Sequence, residues 1–154
     1  YETLDSFFMS IFQSRKSRAG AGFEFVVREI FKKLDYPFSE QVTIEGAKPD
    51  FVLPSAEYFE SRPLDSILFT VKRTLRERWR QTVTEANKGY VYFLATIDKK
   101  VASSQIALMA THKVFLVVPQ EDKNEYYSED YNVISFEDFF KHRLDPQMKI
   151  WDSP

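Results

Sequence analysis

Over residues 23–34 apolar side chains return every three or four positions. Phe23, Val26, Val27, Ile30, Phe31 and Leu34 mark one side of a helix, while Glu24, Arg28 and Lys32 lie off it. Tyr36-Pro37 is expected to end it, since proline disfavours helical geometry in the residue before it. Upstream, Leu4, Phe7, Phe8, Ile11 and Phe12 repeat the helical spacing, and the segment 14–22, SRKSRAGAG, reads as a basic turn between the two helices. Downstream the period changes. A short extended segment is expected at 41–44, a turn at Glu45-Gly46, and a buried strand at 49–53 stopped by Pro54. Residues 54–65 read as loop or one short helical turn, and Ile67–Val71 as a strand.

Leu75, Trp79, Val83 and Ala86 then define the apolar stripe of a helix over 74–88, ended at Asn87 to Gly89. A strand at 90–95, a helix at 103–111 capped by Ser103 or Ser104, and a strand at 114–118 ended by Pro119 follow. Residues 121–130 form an acidic loop in this reading, after which Ser135 caps a helix carrying Phe136, Phe139 and Phe140. The alternation predicts an α/β fold, a mixed central sheet flanked by helices.

Composition narrows the class. With 154 residues, 44% of them hydrophobic and 15 of them Phe, the chain is long and apolar enough for one core, so 1–154 is expected to be a single domain. Cysteine is absent, which excludes disulfides, Cys-ligated zinc and a thiol nucleophile, and suits a reducing cytoplasm. The two histidines, His112 and His142, have no metal-site or triad spacing and read as structural or surface residues. No apolar run reaches the ~18 residues a membrane span needs, so no membrane partner is expected. The chain opens at Tyr1, and we expect it to be a fragment of a longer one.

The net charge of −2 argues against binding polyanions through bulk charge. Its distribution is uneven: residues 72–80, KRTLRERWR, hold five positive charges and one negative, and residues 121–130 the reverse. A basic strip on a nearly neutral domain suggests a localised anionic partner.

Asp50 stands at the start of one predicted strand, Lys72 at the end of the next, and Glu85 on the helix that follows. Paired strands would bring the three together, an arrangement suited to metal-assisted phosphodiester hydrolysis. Carboxylates bind Mg2+ through oxygen, and a lysine can serve the attacking water. Taken singly, Asp50 is better explained as a turn cap, and Lys72 and Glu85 as solvated surface charges.

Pro49-Asp50 followed by Thr70-Val71-Lys72 resembles the PD-(D/E)-x-K nuclease motif, with Thr70 where an acid is expected. In a subset of restriction endonucleases that acid migrates to the following helix, and the position of Glu85 resembles that variant. The block Lys72-Arg73-Thr74-Leu75-Arg76-Glu77-Arg78-Trp79-Arg80-Gln81 is more specific. It resembles the lysine and recognition helix of the SsoII and EcoRII group of type II restriction enzymes, in which an Arg-acid-Arg triplet reads adjacent C:G pairs. Residues 14–20 and Lys48-Pro49-Asp50-Phe51 extend the resemblance, which covers roughly residues 14–120.

The resemblance implies a restriction-endonuclease-like fold and a prokaryotic, cytoplasmic enzyme that needs Mg2+ and no nucleotide cofactor. It would cut double-stranded DNA at a palindrome with CC and GG halves. Asp50 and Glu85 would hold the metal, Lys72 would serve the water, and Glu24, on the first core helix, would lie near the active site. Arg76, Glu77 and Arg78 would read bases. Arginine bonds guanine O6 and N7 in a fork and glutamate accepts from cytosine N4, so the triplet has the right donors and acceptors. Arg15, Lys16 and Arg18 would contact phosphates. Trp79 belongs to the core stripe. A palindrome calls for two-fold symmetry, hence a homodimer. Two other readings stay open: a structure-directed or repair nuclease of the same fold, and a DNA-binding or protein-interaction module without catalysis, which Thr70 favours.

Overall fold

The computed structural model describes residues 21–44, 48–75 and 90–152. The predicted opening helix and the predicted helix over 74–88 therefore lie largely outside the described residues, as does Trp79.

Helix α1 spans Ala21–Lys33, and Phe23, Val26, Val27, Ile30 and Phe31 on its inner face are all buried. It stops earlier than the proline requires. Asp35 adopts a left-handed φ of 59°, Asp35 N donates to Lys32 O and Tyr36 N donates to Phe31 O, a Schellman closure that satisfies the last carbonyls. Leu34 consequently falls past the helix and is exposed, although the periodicity places it on the inner face.

Six strands form one sheet in sequential order: β1 (Ser39–Glu40), β2 (Phe51–Leu53), β3 (Ile67–Val71), β4 (Tyr92–Ala95), β5 (Val114–Val118) and β6 (Val133–Ser135). β1, β2 and β3 pair antiparallel, and β3 to β6 pair parallel. The mixed sheet expected from the alternation is present. The extended segment expected at 41–44 is corrected: the strand is Ser39–Glu40, because Gln41 turns the chain out of the sheet with φ 53°.

Alternation along each strand divides the side chains between two cores. Phe51, Leu53, Ile67, Phe69, Val71, Phe93, Ala95 and Val117 face α1 and the C-terminal helices. Val52, Leu68, Tyr92, Leu94, Val114, Leu116 and Val118 face the other way, against Phe59, Leu75, Ile106 and Met109. Strands covered on both sides have no polar face, which is why β3, β4 and β5 read as nearly unbroken apolar runs. Phe31 organises the first core, with edge contacts to Phe51 at 5.3 Å and Phe69 at 5.4 Å between ring centroids.

Three further differences concern short elements. Residues 56–61 form a helix, α2 (Ala56–Ser61), whose Ser55 Oγ accepts from Tyr58 N, and a 3-10 turn, Pro63–Asp65, follows. α3 (Ser103–Thr111) has the predicted span, but the expected cap by Ser103 or Ser104 is corrected: Ala102 stands at the N-cap and its N–H donates to Gln105 Oε1, which leaves both serines inside the first turn. The expected acidic loop is in part a helix, α4 (Gln120–Tyr126), because Glu121 and Asp122 fall in its first turn, where the helix dipole favours negative charge. Lys123 Nζ closes its far end by donating to the carbonyls of Tyr127 and Asp130, each at 2.8 Å.

Ser135 caps the C-terminal helix as expected, its Oγ accepting from Asp138 N at 3.0 Å. That helix runs as α5 (Phe136–Asp138), a π-helical turn (Phe139–Leu144) and α6 (Asp145–Trp151). Gln147 and Trp151 side chains donate to Asp65 O, tying α6 to the 3-10 turn. Among the described residues no helix is long and apolar enough to cross a membrane.

Candidate active site

Asp50 immediately precedes β2, one place beyond the pairing of Phe51 with Phe69. Its carboxylate turns across to β3, where Oδ2 accepts the backbone N–H of Val71 at 2.8 Å. The next residue along β3 is Lys72, whose own N–H donates to Ala95 O on β4 at 2.9 Å. Two strand ends are thereby brought to the same edge, each fixed by a backbone hydrogen bond. Burial raises the proton affinity of Asp50, and the Val71 N–H, the Lys72 ammonium and Arg28 act against it. The net direction is up.

Glu24 reaches the same place from α1. Its Oε1 accepts from Gln41 Nε2 at 2.9 Å and lies 3.9 Å from Arg28 Nη2. Arg28 itself is held by Glu40 through Nε. Burial raises the pKa of Glu24, the charge of Asp50 raises it further, and Arg28 opposes both. A carboxylate that feels the charge of a second is stabilised by a cation near both.

Thr70, where the motif expects an acid, is 4% exposed, and its Oγ1 shares a 2.7 Å hydrogen bond with the Tyr92 hydroxyl. That position is therefore a buried neutral contact between β3 and β4.

Hard oxygen donors suit Mg2+, which is usually held by one or two carboxylates and completes its shell with water and substrate. Asp50 and Glu24 fit that requirement. Among the described residues no cluster of three or more Asp, Glu or His side chains could hold a cation.

Of the predicted site residues, the structure brings together Asp50, Lys72 and Glu24. Glu85, Arg76, Glu77, Arg78, Arg15, Lys16 and Arg18 lie outside the described residues. The approach to the 76–78 triplet is described. Leu75 N donates to Asp98 Oδ2 at 3.0 Å, and Thr96 Oγ1 donates to Arg73 O at 3.3 Å. Asp98 is in turn held by its own N–H to Thr96 Oγ1, by Lys100 N to Oδ1, and by the Tyr127 hydroxyl donating to its carbonyl. Sequence reasoning missed Arg28, Glu40, Gln41 and Asp98. None sits in a motif; only Asp98, a carboxylate just past a predicted strand, offered a signal.

A family profile described as EcoRII C terminal matches residues 2–140. The chain belongs to the EcoRII C-terminal family. Within this family's reach, the type II restriction enzyme SsoII of Shigella sonnei is 29% identical over 92% of this chain and 50% of its own length. The type II restriction enzyme EcoRII of Escherichia coli is 33% identical over 76% of this chain and 30% of its own. Two solved structures are similar in fold. Metal-depleted Ecl18kI in complex with uncleaved DNA superposes with a TM-score of 0.80 at 30% identity, over 95% of this chain and 51% of that one. The restriction endonuclease PspGI in complex with substrate DNA gives 0.71 at 25% identity, over 92% of this chain and 64% of that one. The restriction-endonuclease-like fold expected from the resemblance is thus found, and this EcoRII C-terminal chain spans about half the length of SsoII.

Proposed function

We propose that this chain is the catalytic and DNA-reading domain, residues 1–154, of a Mg2+-dependent type II restriction endonuclease. It cleaves double-stranded DNA at a palindromic CC…GG site of the CCNGG kind. The observation that carries the reading is the Asp50 carboxylate bonded to Val71 N, directly before Lys72, with Glu24 of α1 linked to the same place through Gln41, which bonds Glu24 Oε1 and Asp50 O. Asp50 and Lys72 are 22 positions apart in sequence but flank paired strands, and Glu24 approaches them from α1.

In this mechanism Asp50 and Glu85 would hold the cation, and Glu24 would offer it a further carboxylate. The cation, when bound, supplies Lewis-acid neutralisation of the charge that develops on the phosphate. Lys72 would orient the attacking water and stabilise the hydroxide that forms as the proton passes to solvent. Arg76, Glu77 and Arg78 read two consecutive C:G pairs, and Arg15, Lys16 and Arg18 grip the phosphates. Because Asp98 fixes the backbone at Leu75, the reading triplet starts from a point tied to β4, the strand beside Lys72. A palindrome is met by a homodimer with one site per strand, in the bacterial cytoplasm.

The test is digestion of a long DNA of known sequence by the full-length protein with Mg2+, with fragment ends sequenced and Asp50→Ala as control. Discrete fragments sharing a CC…GG palindrome, absent with Asp50→Ala, support the reading. Fragments without a common sequence would replace it by a repair-type nuclease, in which Glu77→Gln leaves cleavage intact. No cleavage, with DNA affinity indifferent to Asp50→Asn, would replace it by a binding module.

A further inference from the structure

Three non-glycine residues among those described have positive φ: Asp35, Gln41 and Lys113. Asp35 and Lys113 follow α1 and α3, where a left-handed residue closes a helix. Gln41 closes no helix. It follows the two-residue strand β1, and at φ 53° its β-carbon carries a cost of about 1 kcal/mol that glycine avoids. A strained position beside a candidate site calls for a functional account.

Gln41 makes two bonds there. Its backbone N–H donates to Asp50 O at 3.2 Å, a contact that any residue but proline provides. Its side chain donates Nε2–H to Glu24 Oε1 at 2.9 Å, which glycine cannot provide and asparagine, one methylene shorter, does not reach. The Glu24 carboxylate needs such a tether. Its side chain is 26% exposed, the charges of Asp50 and Glu40 repel it, and its cationic neighbour Arg28 is 3.9 Å away and engaged with Glu40. An untethered Glu24 would swing toward water.

We propose that Gln41 is a positioning residue: its amide holds the Glu24 carboxylate toward Asp50, so that both present oxygen to one divalent cation. This rests on the reading of Asp50 as a cation ligand. Partners that orient the groups around a metal are commonly worth about 10-fold to 100-fold in affinity.

Mn2+ titrated into the full-length protein, with free Mn2+ read by electron paramagnetic resonance, tests it. Gln41→Gly removes the side chain and suits the backbone, so the thermal midpoint should hold or rise while Mn2+ affinity falls about 10-fold. Gln41→Met keeps the length, removes the donor without adding charge and should weaken binding similarly. In a Glu24→Gln background, Gln41→Gly should cause no further loss. Unchanged Mn2+ affinity in Gln41→Gly, or a loss that persists in the Glu24→Gln background, would overturn the proposal while Asp50→Ala still abolished binding. Mn2+ binding that is absent from the unaltered protein, or indifferent to Asp50→Ala, would instead overturn the cation-site reading and the proposal with it.

Discussion

Val71 donates its backbone N–H to Asp50 Oδ2 at 2.8 Å, so the carboxylate at the head of β2 is fixed to the residue that precedes Lys72. This bond occupies one carboxylate oxygen and leaves the Asp50 side chain at the strand edge rather than in the sheet. It also ties the acid to the backbone one residue before the lysine, so strand pairing decides where the two side chains start.

That arrangement separates binding from chemistry. Lys72→Ala should reduce cleavage by about 100-fold to 10,000-fold, the usual range for a proton-handling side chain, while affinity for uncleaved DNA without metal changes little. Gel-shift and single-turnover assays on the same preparation decide it; parallel loss of both would make Lys72 a phosphate contact.

The pKa directions lead to a prediction about stability. Burial raises the pKa of Asp50 in the folded chain, so its contribution is most favourable where it is protonated and is lost as pH rises through the raised value. At neutral pH the ionised carboxylate is a liability to the fold. Asp50→Asn, which can still accept from Val71 N, should therefore raise the metal-free thermal midpoint at neutral pH. The advantage should shrink as pH falls into the acid range. A lower midpoint at neutral pH would contradict this.

Thr70 is predicted to be structural. Thr70→Val, which removes the hydrogen bond to Tyr92, should cost about 1 kcal/mol in urea unfolding. Thr70→Asp, which restores the acid of the motif, would bury a charge at a position 4% exposed and should cost about 3 kcal/mol without raising activity. A gain of cleavage in Thr70→Asp would show that this position can still serve the metal.

Asp98 holds Leu75 N and Lys100 N with its two carboxylate oxygens. Asp98→Ala should cost about 1–2 kcal/mol, as loss of a capping carboxylate does, and Asp98→Asn less. If the triplet reads bases, Asp98→Ala should also weaken the preference for CC…GG over a mismatched site, measured by competition cleavage.

The sequence by itself determined what rests on local periodicity. The inner face of α1 follows from an apolar repeat of 3.6, strands β2 to β5 follow from short unbroken apolar runs bounded by turn residues, and Ser135 announced its helix by its hydroxyl. Asp50 and Lys72 were legible as a motif. Tertiary structure alone decided the rest. Val133–Ser135 is too short to declare itself and is a strand because β5 offers it an edge. Gln41 points at Glu24 only because α1 packs on the sheet that β1 joins, which brings residues seventeen apart into contact. Asp98 meets Leu75 because β3 and β4 lie side by side. Periodicity records which face of an element is buried; which polar groups meet at its end depends on pairing between distant segments, which has no local period to read.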